Sequence, residues 1–167
     1  MMRVAILTTG GTIEKTYDER DGSLRNARTT LPQLLSTFRL PDLRIATRQV
    51  LFLDSLEMTD VHREAIVEAT AEAARETDAV IILHGTDTLE KTGELVHARL
   101  PDIQIPVILT GAMRPYEFRD TDAAQNVTEA LLAVRLVEPG VYVVMHNRVL
   151  RFPGVRKNHQ HLSFELA

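Results

Sequence analysis

The chain has no cysteine and no tryptophan among its 167 residues, and only 5% of the residues are aromatic. Without cysteine there is no disulfide, no thiolate metal site and no cysteine nucleophile. So few aromatic side chains argue against a surface that stacks nucleic-acid bases. The formal net charge of −4 points the same way, because proteins that bind phosphate backbones carry basic patches. We therefore expect no nucleic-acid partner.

Long apolar runs are also missing. The mostly apolar start of the chain is cut short by Gly10, Gly11 and Glu14, before it resembles a secretory signal. No stretch approaches the roughly 20 apolar residues that a membrane-spanning helix needs. We expect no membrane partner and a cytoplasmic location.

What the chain does contain is an ordinary globular composition, with 44% hydrophobic and 25% charged residues. Its length suits a single domain over residues 1–167. Short β-branched runs predict five strands, at 4–8, 44–51, 79–84, 106–110 and 141–146. Runs that are apolar on both faces are typical of a parallel sheet that is covered on both sides.

Helical patterns lie between these runs. They predict helices at 31–38, from 59 or 60 onward, at 88–100 and at 122–137. In the second helix we expect the core-facing residues to be Val61, Ala65, Ile66, Ala69 and Ala73, with Arg63 facing solvent. Alternating strands and helices indicate βαβ units. The prediction is an α/β fold of three layers, with a doubly wound, mainly parallel sheet of the Rossmann-like or flavodoxin-like type.

Polar residues follow the predicted strands. In open α/β sheets ligands bind beyond the carboxyl ends of the strands, and the segments found there carry Thr12, Ser55, Thr86, Asp87 and Lys157. Thr86, Asp87 and Lys157 can form a relay in which a neutral amine accepts the hydroxyl proton. The alternative is an ordinary ion pair of Asp87 with Lys157. The segment 14–30 is long for a βα connection and is either a functional lid or a solvated loop.

Several well-known catalytic and nucleotide-binding motifs are absent from the sequence. There is no phosphate-binding P-loop, no dinucleotide fingerprint, no nucleophile elbow and no His-Glu-x-x-His motif. His159 and His161 are spaced as metal ligands can be, but solvated or interfacial histidines are the commoner interpretation.

Three motifs carry a resemblance. Thr-Gly-Gly-Thr-Ile at 9–13 and His-Gly-Thr-Asp-Thr at 84–88 resemble the two signatures of bacterial-type L-asparaginases, and Leu-Thr-Gly-Ala-Met-Arg-Pro at 109–115 is similar to a third motif of that family. The resemblance spans nearly the whole chain but only the family's N-terminal domain. It implies a natural short form that is reduced to the catalytic domain, with the family's second α/β domain absent; a truncated chain is the alternative.

The same resemblance implies roles for individual residues. Thr12 matches the nucleophilic threonine, and Thr86 matches a second catalytic threonine, with Asp87 and Lys157 beside it. Ser55 matches a residue that holds the substrate's α-carboxylate. The remaining matches are Asp87 as a ligand of the α-ammonium, Asp54 beside Ser55, and Tyr17 as the tyrosine of a mobile loop. Amide hydrolysis also needs an oxyanion site, and we expect backbone N–H groups around Gly11 or Thr86 to provide it. Leu56 departs from the family, because many members have a polar residue there.

The activity implied by the resemblance is hydrolysis of L-asparagine to L-aspartate and ammonia, with no metal and no organic cofactor. Which threonine attacks first is left open. Two alternatives remain, which are the ammonia-releasing component of a tRNA-dependent amidotransferase and a non-catalytic amino-acid sensor.

Assembly is a further expectation. Without a second domain, the cleft at the strand ends needs another wall, and a symmetric homo-oligomer is the commonest way to provide one. We expect at least a dimer, with Tyr116, Phe118, Phe152 and Phe164 as candidates for the interface. For Phe152 and Phe164 the alternative is core filling.

Overall fold

The computed structural model describes residues 1–167 as one sheet flanked by helices, with two small hairpins. The strands are β1 Met2–Gly10, β2 Thr16–Asp18, β3 Ser23–Arg25, β4 Leu43–Leu53, β5 Ala79–Leu83, β6 Pro106–Thr110, β7 Gly140–Met145, β8 Arg148–Arg151, β9 Val155–Asn158 and β10 Ser163–Leu166. The helices are α1 Leu31–Ser36, α2 Asp60–Ala74, α3 Leu89–Arg99 and α4 Ala123–Ala133. Two one-turn 3₁₀ segments, Thr12–Glu14 and Ser55–Glu57, follow β1 and β4.

The main sheet has the strand order β4-β1-β5-β6-β7-β8. Its first five strands are parallel, and β8 returns antiparallel beside β7. This is the flavodoxin-like order, in which the strand order reverses between the first and third parallel strands, here β1 and β5. The predicted doubly wound fold is confirmed.

Both faces of the sheet are covered, because successive side chains of a strand point to opposite sides. Val4, Ile6 and Ile81 belong to one buried cluster with residues of α1 and α4. Leu7 and Val80 belong to a second cluster with residues of α2 and α3. The two clusters form the two interfaces of a three-layer fold.

The second strand differs from its prediction. β4 is the edge strand, and residues 46–49 are exposed rather than buried on both faces. The predicted core face of α2 is right in part: Ile66 and Ala69 are buried, but Val61 is 78% exposed, and Arg63, which was expected to face solvent, is only 6% exposed. Nη1 of the Arg63 guanidinium donates to the carbonyl of Met58 at 3.1 Å, whereas its buried Nε has no partner.

The end of the chain packs over α3. Phe152 is 1% exposed and joins the same buried cluster as Phe164 and Val96. A β-carbon built on Gly93 of α3 would lie 2.0 Å from Cζ of Phe152. The Phe152 ring can therefore pack against the helix at this position only because Gly93 has no side chain. Phe152 and Phe164 fill the core, and their candidacy for an interface was wrong.

The long segment after β1 is an ordered hairpin. β2 pairs with β3, the amide of Asn26 donates to the carbonyl of Gly11 at 2.9 Å, and Glu117 accepts from the backbone of Tyr17 at 2.8 Å. Glu14 is buried at the base, where one carboxylate oxygen accepts from the Thr29 hydroxyl and the other has no partner. Burial raises the pKa of Glu14, although the hydrogen bond from Thr29 acts to lower it.

Two valines of α2 test the corrected helix face. Val67 is buried and Val61 is exposed, so Val67→Ala should lower the free energy of unfolding by about 1–3 kcal/mol. The matched change Val61→Ala should stay within about 0.5 kcal/mol of the wild type. Urea unfolding measures both, and equal losses would contradict the orientation of α2.

Glu14 gives the stability a pH dependence of known sign. Because the folded pKa is raised above the ordinary value of 4.5, the group's contribution is fully present below that value and is lost as pH rises through the folded pKa. Glu14→Gln removes this titration, so the variant should gain stability relative to the wild type between about pH 5 and about pH 8. Urea unfolding at the two pH values measures the gain. The exposed Glu19→Gln is the control, and a pH-independent difference for Glu14→Gln would contradict the argument.

Candidate active site

Three loops meet at the carboxyl edge of the sheet, beside the switch point between β1 and β5. A β-carbon on Gly11 would lie 2.4 Å from the backbone nitrogen of Gly85, and one on Gly85 would lie 2.7 Å from Oγ of Ser55. Side chains cannot approach that closely, so the loops that follow β1, β4 and β5 touch only because these positions are glycine. The contact gathers residues that are far apart in sequence.

A lysine, a threonine and an aspartate form the centre of this edge. Nζ of Lys157 donates to Oδ1 of Asp87 at 2.7 Å and to Oγ1 of Thr86 at 2.9 Å. The Lys157 side chain is 5% exposed, whereas that of Asp87 is 41% exposed. The three residues predicted as a relay are therefore in direct contact, with the amino group of Lys157 shielded and the carboxylate of Asp87 partly exposed.

The position of Lys157 depends on α3. That helix begins at Leu89, immediately after the loop of Thr86 and Asp87. Its side chains Glu90 and Glu94 accept hydrogen bonds from the backbone of Lys157 and of Gly154, the latter at 2.5 Å. The helix that starts at the relay thus also holds the strand that supplies the lysine.

Two hydroxyls at the edge have no protein partner. The half-buried Thr12 side chain makes no hydrogen bond, and Oγ of Ser55 is buried without one. The backbone N–H groups of Thr12 and Thr86 donate to no protein acceptor, whereas the N–H of Gly11 donates to the carbonyl of Leu53 at 2.9 Å. The free hydroxyls and free N–H groups are the unused polar groups of the cleft, and the Gly11 N–H is already occupied.

Asp54 is held beside Ser55. Its Oδ2 accepts from Nζ of Lys15 at 2.6 Å, and its Oδ1 accepts from the backbone of Leu56 at 3.0 Å. Partial burial favours a higher pKa, but the bonds from Lys15 and Leu56 outweigh it and hold the pKa of Asp54 below its ordinary value. Asp54 is therefore an ionised, paired carboxylate.

Tyr17 is not brought into this group. Its side chain is 60% exposed, and its hydroxyl lies 4.0 Å from where Gly22, at the tip of the hairpin, would carry a β-carbon. Its catalytic role stays a prediction.

Sequence reasoning missed His84, although it opens the second motif. The ring is buried, and burial lowers the pKa of His84 to about 4, so the imidazole is neutral near pH 7. Its Nδ1–H donates to the carbonyl of Gly85 at 2.7 Å, and its Nε2 accepts from Thr92 at 2.7 Å. His84 fixes the backbone just before Thr86.

Asp122 is a second residue that the sequence reasoning missed, and the motif at 109–115 could have pointed to it. It accepts from the backbone of Met113 at 3.0 Å and of Arg114 at 3.0 Å, and from Nε2 of His146 at 2.6 Å. Burial favours a higher pKa for Asp122, but the bonds from Met113 and His146 prevail and lower it. The Met113 sulfur lies 3.6 Å from Oγ1 of Thr86. Asp122, by holding the backbone of Met113, therefore also holds a side chain that contacts Thr86.

No three histidine, aspartate or glutamate side chains are clustered as metal ligands, and His159 and His161 are exposed. None of the helices combines the length and the hydropathy required to cross a bilayer. Hydroxyls without a protein partner, a lysine in contact with a threonine and an aspartate, and free N–H groups are the kinds of group that acyl-transfer sites use as nucleophile, proton carrier and oxyanion support.

The family model described as "Asparaginase, N-terminal" matches residues 3–163. An L-asparaginase of Thermococcus kodakarensis is 34% identical over 158 residues, which are 95% of this chain and 48% of that protein. The solved structure of a thermostable L-asparaginase from the same organism superimposes with a TM-score of 0.86 at 32% identity, covering 99% of this chain and 51% of the other.

A glutamyl-tRNA(Gln) amidotransferase component from Methanococcus vannielii is 30% identical over 151 residues, which are 89% of this chain and 35% of that protein. The chain thus spans about half the length, or less, of these relatives. The match extends over all three motifs, the relay and the hairpin that follows β1. The chain belongs to the asparaginase family, through that family's N-terminal domain.

Proposed function

We propose that this protein hydrolyses the side-chain amide of L-asparagine to give L-aspartate and ammonia. The observation that carries the proposal is the shielded contact of Lys157 with Thr86 and Asp87. Such a contact can move a proton between a hydroxyl and an amine in a site from which water is partly excluded.

The chemistry proceeds in two halves. A threonine hydroxyl, Thr12 or Thr86, attacks the amide carbon and its proton passes to the neutral amine of Lys157 in the relay, while the free N–H groups of Thr12 and Thr86 stabilise the oxyanion. The C–N bond breaks, and the departing nitrogen takes that proton from the relay and leaves as ammonia. Water then adds to the β-aspartyl ester and gives a proton to the relay, the C–O bond to the threonine breaks, the threonine oxygen takes the proton back, and aspartate leaves. The steps need no metal and no organic cofactor.

The substrate's two charged groups have matching partners. The unpaired hydroxyl of Ser55 is suited to the α-carboxylate. One oxygen of Asp87 faces Lys157 and the other has no protein donor, which suits the α-ammonium. We propose that Tyr17 and its hairpin close over the bound amino acid, that residues 1–167 act as the catalytic unit, and that the protein works in the cytoplasm.

The amidotransferase alternative rests on the resemblance to the Methanococcus vannielii protein. Both alternatives share release of ammonia from a side-chain amide, but the net charge of −4 gives this chain no general attraction to tRNA. A sensor that has lost turnover is disfavoured by the intact relay of Thr86, Asp87 and Lys157.

Substitution of the threonines tests the mechanism. Thr12→Ala and Thr86→Val should each lower kcat for ammonia release from L-asparagine by at least about 10²-fold, since each removes a group that takes part in proton transfer or bond formation. Circular dichroism should show an unchanged fold. Thr47→Val, on the exposed edge strand β4, is the control, and near-normal kcat in either test variant would refute that residue's role.

Substrate length supplies a second test. If a threonine and Ser55 fix the two ends of asparagine, the extra methylene of glutamine misplaces the carbonyl, and a misplacement of about 1 Å can cost about 10²-fold. Leu56 offers no polar contact to anchor the longer substrate again. We expect kcat/KM to favour asparagine by about that factor, and comparable values for the two amides would overturn this interpretation of the pocket.

Assembly is a third test. We propose a homo-oligomer in which a neighbouring subunit covers the open side of the cleft. The exposed Phe118 and the partly buried Tyr116 would lie near that interface. Light scattering at assay concentration should give at least twice the mass of one chain. A fully active species of 18.8 kDa would show that the domain closes its own site.

A further inference from the structure

An ion pair joins the two short turns that carry the proposed substrate-facing hydroxyls. Lys15 ends the turn that holds Thr12, and its backbone N–H donates to the Thr12 carbonyl at 3.1 Å. Asp54 begins the turn that holds Ser55 and caps it through the N–H of Leu56. The 2.6 Å contact between Nζ of Lys15 and Oδ2 of Asp54 thus ties the two turns side chain to side chain.

The pair also decides which carboxylate remains open. Both oxygens of Asp54 are engaged, one by Lys15 and one by the N–H of Leu56. Asp87 uses one oxygen for Lys157 and keeps the other free. A cationic substrate group therefore meets a neutralised Asp54 and a half-open Asp87.

The partial burial of Lys15 and Asp54 strengthens the attraction between them. The Lys15 and Asp54 side chains are 23% and 31% exposed, compared with 56% and 44% for the surface pair of Arg3 and Asp78. Partly shielded charges attract each other more strongly than fully exposed ones, whose pairs are worth little.

We propose that Lys15 is a positioning residue for substrate binding, which acts by holding Asp54 and so fixing the Thr12 turn against the Ser55 turn. This inference rests on the proposed function for its effect on substrate. It makes Asp54 a structural partner of Lys15 and leaves Asp87 as the carboxylate that takes the substrate's ammonium.

Kinetics of single variants give the first arm of the test. Lys15→Met and Asp54→Asn each break the pair, and Asn keeps an oxygen that can cap Leu56. Each should raise KM for L-asparagine by roughly tenfold with kcat within about threefold, since contacting residues couple by that order. Lys15→Arg should restore most of the affinity. Lys91→Met and Asp78→Asn, on the surface, are the matched controls.

The double variant discriminates between positioning and direct binding. If Asp54 acts only through Lys15, the combination Lys15→Met with Asp54→Asn should be no worse than either single change. If Asp54 itself binds the ammonium, Asp54→Asn will cost a further tenfold or so in the Lys15→Met background, and the proposal is overturned.

Hydrogen exchange provides an arm that needs no turnover. Breaking the pair from either side should speed backbone exchange in both turns, at residues 12–18 and 54–58, with no additional effect in the double variant. If the wild type is inactive on asparagine but this pattern holds, the proposed substrate fails and the positioning contact stands. If either single variant leaves the other residue's turn unchanged, the positioning role is wrong whatever the activity.

Discussion

The amino group of Lys157, shielded between Asp87 and Thr86, is the constraint on which the rest of the site depends. A polar group removed from water must be hydrogen-bonded, and here one carboxylate and one hydroxyl meet that need. Because the lysine comes from β9 and its partners from the start of α3, the hairpin at the chain end must fold back onto that helix. Glu90, Glu94 and the ring of Phe152 against Gly93 hold it there.

A second constraint is the crowding of backbone at the switch point. Gly11 and Gly85 let the loops after β1 and β5 touch, and Gly85 also admits Ser55 from the loop after β4. The neutral ring of His84 and the carboxylate of Asp122 hold the flanking backbone through hydrogen bonds. The cleft is therefore built from short, closely packed loops with a few unpaired groups, and groups held in place in this way can stabilise a developing charge.

Much of this could be predicted from the sequence. The alternation of β-branched runs with amphipathic stretches predicted the doubly wound sheet, and their positions after the predicted strands put Thr12, Ser55, Thr86, Asp87 and Lys157 at one edge. The exposed edge of β4 could not be predicted, because apolar content does not reveal which strand lies outermost. The burial of Arg63 was missed, and that of Phe152 and Phe164 was only one of two alternatives, since both depend on helix phase and on how the last hairpin packs. The pairing of Lys15 with Asp54 depends on loop geometry that residue spacing does not encode.

The most direct test of the central claim is a comparison of L-asparagine turnover by the wild type and by Lys157→Met, with ammonia release followed on samples of matched fold. If the contact of Lys157 with Thr86 and Asp87 is the proton relay, the wild type releases ammonia steadily. The variant, which keeps most of the side chain's volume but has no amine, should then lose at least about 10²-fold in kcat. An inactive wild type, or a variant that turns over at the wild-type rate, would contradict the account.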